Sequence, residues 1–275
     1  MSVFENILYG LVSGLTEFLP VSSRGHQSLL RYLFGADTRS SLQDLLVHIG
    51  ILVSVIIACR EKIARLFRVQ RTASLMRRKR SRHLDSKSYY DLQLLKAATF
   101  PLIAGMLLYA SAERLENSLP ALMGFFTLNG VILLIAEHSR RGNRDGRTMS
   151  GADGIALGVF GAASVLPGIS RSGMMVSYAL FRGVDRQSAV IWAILLGIPA
   201  ALFGIGYNLF AILIRGVGVV SARIIVGDIL ACIGAFCGGY IAISLLRLLS
   251  AQDDNSHFAY YSFGVVMLTF VLYLI

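Results

Sequence analysis

Charged side chains are scarce in this chain of 275 residues: 15% are Asp, Glu, Lys or Arg, whereas a soluble domain carries about 25%. Hydrophobic residues make up 55%, and the mean hydropathy is +0.64. This balance excludes an ordinary soluble enzyme and predicts a polytopic membrane protein. The first ten residues, MSVFENILYG, lack the basic segment and cleavage site of a signal peptide. We therefore expect the mature helices to direct insertion.

Cysteine is also scarce. The three cysteines, Cys59, Cys232 and Cys237, lie in apolar segments without the spacing of metal ligands. Because a free cysteine usually behaves as a small buried hydrophobe, we predict neither a disulfide framework nor a zinc site.

Positive charge is concentrated in one segment. The chain has a net charge of +10, and residues 60–87 hold eleven Lys and Arg against two acids, a local charge of +9. Short loops rich in Lys and Arg stay in the cytoplasm and attract anionic lipid head groups. We therefore interpret this segment, with RRKRSR at 77–82, as a topology signal facing membrane lipids and not as a nucleic-acid site. The basic loop SRRGNRDGRT at 139–148 predicts the same side, which leaves both termini outside.

Six apolar segments are long enough to cross the bilayer, since a spanning helix needs about 20 residues. They cover residues 42–59, 89–110, 119–137, 188–212, 224–248 and 258–275. We expect a kink near Pro101 and, after the second span, a short acidic turn with Glu113 and Glu116. Asp44 and His48 in the first span are interpreted as an interfacial acid and a bundle-facing histidine rather than as ligands.

Two further apolar segments, 3–34 and 151–181, are interrupted by Pro20 and Pro167. The stretch GLTEFLPVSSRGHQS at 14–28 also carries Glu17, Arg24 and His26. A charge at the bilayer centre costs roughly 2.5–3.5 kcal/mol on insertion scales, and irregular backbone survives there only where protein buries it or a water-filled cavity faces it. We therefore predict two re-entrant helix–loop–helix hairpins that form a site, with Ser22 or Ser23 capping the second half-helix.

The chain matches itself at an offset of 147 residues. LPVSSRG at 19–25 falls on LPGISRSG at 166–173. The same offset pairs Gly14 with Gly161, Pro20 with Pro167 and Arg24 with Arg171. The predicted fold is an all-α integral membrane domain spanning 1–275, with inverted repeats over 1–147 and 148–275, six full transmembrane helices and the two hairpins. This architecture places the N-termini of the two half-helices close together, facing an anionic ligand.

The residues at the hairpin tips suit a phosphate. The candidates for binding it are Ser22, Ser23, Ser170 and Ser172, with Arg24 and Arg171, whose forked donors match phosphate oxygens. Ser23 and His26 share a helix face if the second half-helix begins at Ser22. Either Ser23 is the nucleophile with His26 as its base, or His26 is the nucleophile itself. Glu17 would orient His26 or hold a cation.

Together, GLTEFLPVSSRGH at 14–26 and PGISRSG at 167–173 resemble the paired signatures of the undecaprenyl-pyrophosphate phosphatases of the bacitracin-resistance type, over essentially the full length. The resemblance implies hydrolysis of undecaprenyl pyrophosphate to undecaprenyl phosphate and phosphate, which recycles the lipid carrier of cell-wall (peptidoglycan) synthesis. It also implies a divalent cation (Mg²⁺ or Ca²⁺), a multi-pass location in the bacterial plasma membrane, and an active site opening to the outer face.

Carried over residue by residue, the resemblance implies an essential acid at Glu17, also the cation ligand, a serine at Ser23, a histidine at His26 and an arginine at Arg171, flanked by Ser170 and Ser172. Three positions depart from the family pattern. Ser13 replaces Glu or Gln, Arg24 replaces a small and often hydroxylated residue, and Met175 replaces a hydroxyl residue. These departures bear on the metal requirement and the rate rather than on the fold. We predict a weaker dependence on divalent ions.

A lipid-phosphate carrier or flippase is the alternative function, because inverted repeats with broken helices also build transporters. Glu17, Ser23 and His26 favour the enzyme, since a carrier needs positive charges but no nucleophile. A homodimer is left open as a partner.

Both basic loops, at 60–87 and 139–150, are expected in the cytoplasm because of the positive-inside rule. In a variant without native cysteines, single cysteines introduced into the first loop should resist an impermeant maleimide in intact cells. A cysteine at Glu113 should react under the same conditions. Ready labelling of the first loop before permeabilisation would overturn this topology.

Overall fold

The computed structural model describes residues 2–35, 40–76, 85–139, 142–216, 221–252 and 254–275. Within these ranges the chain is helical and forms no β-strand, which confirms the all-α prediction. The basic sequence RRKRSR and the arginines at 140 and 141 lie outside the described residues.

The first broken hairpin consists of helix α1 (Val3–Phe18) and helix α2 (Ser23–Leu33). Helix α1 begins with a capping box, because Ser2 and Glu5 each accept a hydrogen bond from the other's backbone N–H. Ser22 caps α2: its Oγ accepts from the N–H of Gly25 at 3.3 Å. Ser22 has a φ of 70°, a left-handed conformation that turns the chain sharply into α2. Of the two predicted caps, Ser22 and Ser23, the structure therefore shows Ser22.

Further helices, not all of them spans, connect the two hairpins. Helices α3 (Ser41–Ala58), α4 (Arg60–Met76), α5 (Ser86–Met106), α6 (Tyr109–Glu116) and α7 (Leu119–Glu137) follow α2 in that order. Of these, α3 and α7 are long and apolar enough to cross a membrane, and α5 with α6 forms a bent pair at 59° that counts as one more span. The bend between α5 and α6 lies at Leu107–Leu108, and α5 continues as one helix through Pro101, where the kink stays a prediction. The N–H groups of Leu107 and Leu108 bond three residues back, and this tightening ends the α-helix.

Helix α4 corrects the expectation of a loop over 60–87. Its buried Leu66 and Val69 alternate with exposed charged residues, which is the pattern of a helix lying on a surface. Lys62 ties α4 to α5 through an ion pair with Asp91, at 2.6 Å between Nζ and Oδ2.

The second broken hairpin repeats the first. Helix α8 (Gly151–Ala162) starts with a capping box, ends in a short 3₁₀ turn (Ala163–Val165) and is followed, after Pro167, by helix α9 (Arg171–Phe181). Ser170 caps α9 by accepting from the N–H of Gly173 at 3.1 Å. The remaining helices are α10 (Arg186–Leu195), α11 (Gly197–Arg215), α12 (Ala222–Leu249) and α13 (His257–Leu274). Helices α10 and α11 count as one span, so the described residues hold five spans, or six with the bent pair. The predicted six agree with this.

Glycines let the first helix of each hairpin touch a long helix from the other half of the chain. A Cβ added at Gly10 of α1 would lie 2.0 Å from the carbonyl oxygen of Ala231 in α12, and one added at Gly158 of α8 would lie 2.2 Å from that of Ala98 in α5. Small residues allow such backbone approach between helices in a membrane. These two contacts hold the hairpins in place and so position the tips.

Replacing Gly10 with Ala should destabilise the protein by roughly 1–3 kcal/mol, because the added methyl group meets backbone that cannot move aside cheaply. Gly124→Ala in α7 is the control, since an added Cβ there has no atom within 4 Å. Thermal unfolding in detergent should show a lower midpoint for the first variant only. Equal midpoints would contradict the close α1–α12 contact.

Candidate active site

Serine hydroxyls at each hairpin tip bond the backbone of the other tip. Ser22 Oγ accepts from the N–H of Gly168 at 3.0 Å. In return, Ser170 Oγ and Ser172 Oγ donate to the carbonyl oxygen of Leu19 at 3.3 and 3.1 Å. These bonds bring together two tips that are almost 150 residues apart in the chain. They also use hydroxyls that the sequence suggested for phosphate binding.

Asn129, fully buried in α7, joins both tips as well. Its side-chain N–H₂ donates to the carbonyl oxygen of Pro20 at 3.1 Å, and its Oδ1 accepts from the N–H of Ser170 at 2.9 Å. The same N–H₂ donates to Ser262 Oγ of α13. Sequence reasoning missed this residue, although a lone amide inside an apolar span was a signal, because such a group must find a partner.

A cavity of about 60 Å³ lies beside the joined tips, with room for a few water molecules. The side chains that could act chemically there are Glu17, Ser23, Arg24, His48, Ser170 and Arg171. Five of the eight predicted site residues therefore line it. Three others, Ser22, His26 and Ser172, do not.

Arg171 and Glu17 form an ion pair in the lining of the cavity. Arg171 Nη1 donates to Glu17 Oε1 at 2.9 Å, and Nη2 lies 3.4 Å from the carbonyl oxygen of Glu17. Arg171 is buried, and its Nε has no hydrogen-bond partner among the described residues. A buried donor without a partner costs about 1–3 kcal/mol. Gly197 leaves space beside the guanidinium, since an added Cβ would lie 3.1 Å from Nη2.

Ser23 opens α2 and turns toward α1. Its Oγ donates to the carbonyl oxygen of Ser13 at 3.2 Å and lies 3.4 Å from Gln27 Nε2. Both bonds are weak by length, so the hydroxyl can exchange them for a ligand in the cavity.

His26 turns away from Ser23, although the two were expected to share a helix face. Its Nδ1 lies 2.7 Å from the carbonyl oxygen of Ser22, which can only accept. In the neutral ring, Nε2 then accepts from the Tyr261 hydroxyl at 2.9 Å. The ring stacks on Tyr261 and meets the edge of Phe126. Both nitrogens are thus engaged outside the cavity.

Arg24 reaches the cavity, but its charge is shared with Glu116. The Arg24 Nε donates to Glu116 Oε1 at 2.9 Å, Nη2 bonds the same oxygen, and Nη1 bonds the carbonyl oxygen of Val165. Arg31 Nη2 also donates to this carboxylate, at 2.6 Å. The guanidinium lies 3.7 Å above the ring of Tyr109. Glu116, expected in a short acidic turn, is therefore a buried partner at the end of α6, and no local pattern pointed to it.

Two polar residues of α3 lie near the site. His48 lines the cavity, whereas the sequence indicated only a histidine that faces the helix bundle. Asp44 is buried, and its Oδ1 accepts from the Tyr9 hydroxyl at 3.0 Å; its interfacial depth stays a prediction.

The side chains around the cavity do not form a protein-built metal site. The described residues hold no group of three or more His, Cys, Asp or Glu suited to a metal ion. Glu17 is the acid that lines the cavity, and Arg171 bonds it. Ser13 is fully buried and donates to the carbonyl oxygen of Tyr9. Met175 fills the space against Gly161, where an added Cβ would lie 2.0 Å from its Cε. With one engaged carboxylate, the hard oxygen ligands that Mg²⁺ and Ca²⁺ need are few.

Comparison with known proteins gives full-length matches. The sequence model of a family described as "Bacitracin resistance protein BacA" matches residues 6–268. The undecaprenyl-diphosphatase of Carboxydothermus hydrogenoformans is 32% identical over 95% of this chain and 94% of its own. That of Alkaliphilus metalliredigens is 31% identical over 96% of each chain. Undecaprenyl-diphosphatase 4 of Bacillus thuringiensis subsp. konkukian is 31% identical over 99% of this chain and 98% of its own.

Replacing Glu116 with Gln should lower stability, because it removes one charge of a buried cluster in which two guanidinium groups share a carboxylate. Breaking such a pair costs about 3–5 kcal/mol. Glu113→Gln on the same helix is the matched control. The unfolding midpoint in detergent should fall for the Glu116 variant and stay near that of the native chain for the control. Unchanged midpoints in both would mean that the cluster is not stabilising.

Proposed function

The chain belongs to the BacA family of bacitracin resistance proteins, and from this membership we propose that it is an undecaprenyl-diphosphatase. It is a multi-pass membrane enzyme that hydrolyses undecaprenyl pyrophosphate to undecaprenyl phosphate and phosphate. The resemblance expected from the two motifs is confirmed by the family match. The relatives named above are diphosphatases by name, and no observation favours the alternative of a lipid carrier.

The unpartnered Nε of Arg171 is the observation that carries this proposal at the level of the site. A phosphate oxygen bound there would satisfy the buried donor. The first residues of α2 and α9 line the same cavity, and N-terminal N–H groups favour an anion. Arg24 adds a second guanidinium at the cavity wall. The set is therefore suited to two linked phosphates.

Ser23 is the nucleophile that the geometry supports better. Its hydroxyl lines the cavity, whereas both nitrogens of His26 are engaged elsewhere. Ser23 Oγ attacks the terminal phosphorus, the bond to the bridging oxygen breaks, and undecaprenyl phosphate leaves with the electron pair. Water then releases phosphate from the serine. Glu17 holds the Arg171 guanidinium through the 2.9 Å bond, which fixes the donor fork before the substrate arrives.

Divalent cations belong to this proposal in a reduced role. A bound cation would supply charge neutralisation for the two phosphates. Among the described residues, two guanidinium groups and one acid border the cavity, so we expect hydrolysis to depend only weakly on divalent ions. No step above passes through a metal.

The inverted repeat, the outward-facing active site, the location in the bacterial plasma membrane and the homodimer stay predictions. The matching construction of the two hairpins supports the repeat, since each has a capping box, a proline turn and a serine-capped second helix.

Phosphate release from undecaprenyl pyrophosphate in detergent tests the function. The native chain should release phosphate with Mg²⁺ and retain much of that rate with a chelator. Arg171→Ala should lose about 10²–10³-fold in kcat, the cost of removing one preorganised donor. Arg215→Ala, at the exposed end of α11, is the control. A native protein that binds the lipid but releases no phosphate under either condition would contradict the proposal and favour the carrier.

A further inference from the structure

The attack proposed for Ser23 needs a group that takes the hydroxyl proton. His26 was the sequence-based candidate, but in the neutral ring its Nδ1 donates to the carbonyl oxygen of Ser22 and its Nε2 accepts from the Tyr261 hydroxyl. Among the described side chains that line the cavity, Glu17 offers a carboxylate and His48 an imidazole nitrogen as a proton acceptor. The Glu17 carboxylate holds Arg171, and proton uptake would weaken that pair. His48 forms no ion pair among the described residues, so proton uptake by its ring would break none.

The tautomer of His48 follows from its neighbour on α3. Its Nδ1 lies 2.7 Å from the carbonyl oxygen of Asp44. A carbonyl oxygen only accepts, so Nδ1 carries the hydrogen and donates it. In the neutral ring, Nε2 then holds a free lone pair. No described residue bonds this nitrogen, and the ring borders the cavity.

Helix α11 makes room for this edge of the ring. A Cβ added at Gly204 would lie 2.2 Å from His48 Cδ2 and 2.4 Å from Nε2. A side chain at 204 would therefore push the ring out of place, and glycine lets it rest against bare backbone. The two contacts, a hydrogen bond on one nitrogen and glycine beside the other, fix the orientation of the ring.

We propose that His48, rather than His26, is the catalytic base of the hydrolysis, an inference that rests on the proposed function. As Ser23 Oγ bonds to the terminal phosphorus and the bridging P–O bond breaks, the hydroxyl proton passes to His48 Nε2. Undecaprenyl phosphate leaves with the bonding electrons of the bridging oxygen. His48 then carries a positive charge beside the phosphoserine. In the second step water attacks that phosphorus, and the proton that His48 gained returns to Ser23 Oγ as phosphate leaves. The water's own proton goes to the departing phosphate.

Two variants remove or displace the base. His48→Gln should lower kcat about 100-fold or more, the usual contribution of a positioned general base, with KM unchanged because the phosphate-binding groups remain. Gly204→Ala keeps the histidine but displaces its ring, so kcat should fall in the same direction. Gly206→Ala, on the same helix with no atom within 4 Å of an added Cβ, is the matched control and should keep the native kcat.

Chemical rescue separates a base from a structural residue. His48→Ala leaves a gap the size of an imidazole ring, so imidazole in the buffer should restore part of its kcat. It should not restore His26→Ala or Arg171→Ala, where no base has been removed.

The inference is overturned if His48→Gln keeps its kcat, or if imidazole fails to restore a folded His48→Ala variant. If His48→Ala does not fold, equal kcat values for Gly204→Ala and Gly206→Ala overturn it instead. Failure of the proposed function is distinct, because the native chain itself would then release no phosphate.

Discussion

Backbone N–H and C=O groups at the two proline turns must find partners where water is scarce, and the architecture depends on this constraint. Each tip meets it with groups from the other: Ser22 takes the N–H of Gly168, and Ser170 and Ser172 take the carbonyl oxygen of Leu19. Asn129 bonds two further backbone groups, the carbonyl oxygen of Pro20 and the N–H of Ser170. Because the tips satisfy each other, they lie together, and the first residues of α2 and α9 face one cavity. The hydrogen bonds that satisfy the backbone of the two turns therefore also assemble the site.

The fold was largely predictable from the sequence because its signals are local. Proline breaks, serine caps and apolar length each act over a few residues, and they indicated both hairpins and all the spans. Two details escaped. Helix α4 was taken for a loop since its charge hid the buried Leu66 and Val69, and the bend between α5 and α6 at Leu107–Leu108 was not predicted.

The site was less predictable, because the direction in which each side chain points depends on partners that lie far away in the chain. The motif serines looked like phosphate ligands, yet Ser22 and Ser172 hold backbone. His26 and His48 carry the same side chain, and the difference between them comes from Tyr261 and Gly204, which lie far from either in sequence. Glu116 shows the same limit, since its two arginines come from α2. Composition and spacing select residue types, but long-range contacts select their roles.

The backbone contact between α1 and α12 has a consequence for how the protein is made. The chain emerges N-terminus first, so α1 enters the membrane long before α12 exists. Until then Gly10 and Gly14 have no helix against them, and Glu17 gains its partner Arg171 only when α9 has been made. The first hairpin therefore stays without its packing partner until α12 has been inserted. Its final packing is one of the last events in biogenesis. A translating ribosome that stalls before α12 would leave a chain that contains the cavity residues but lacks the helix against which α1 packs.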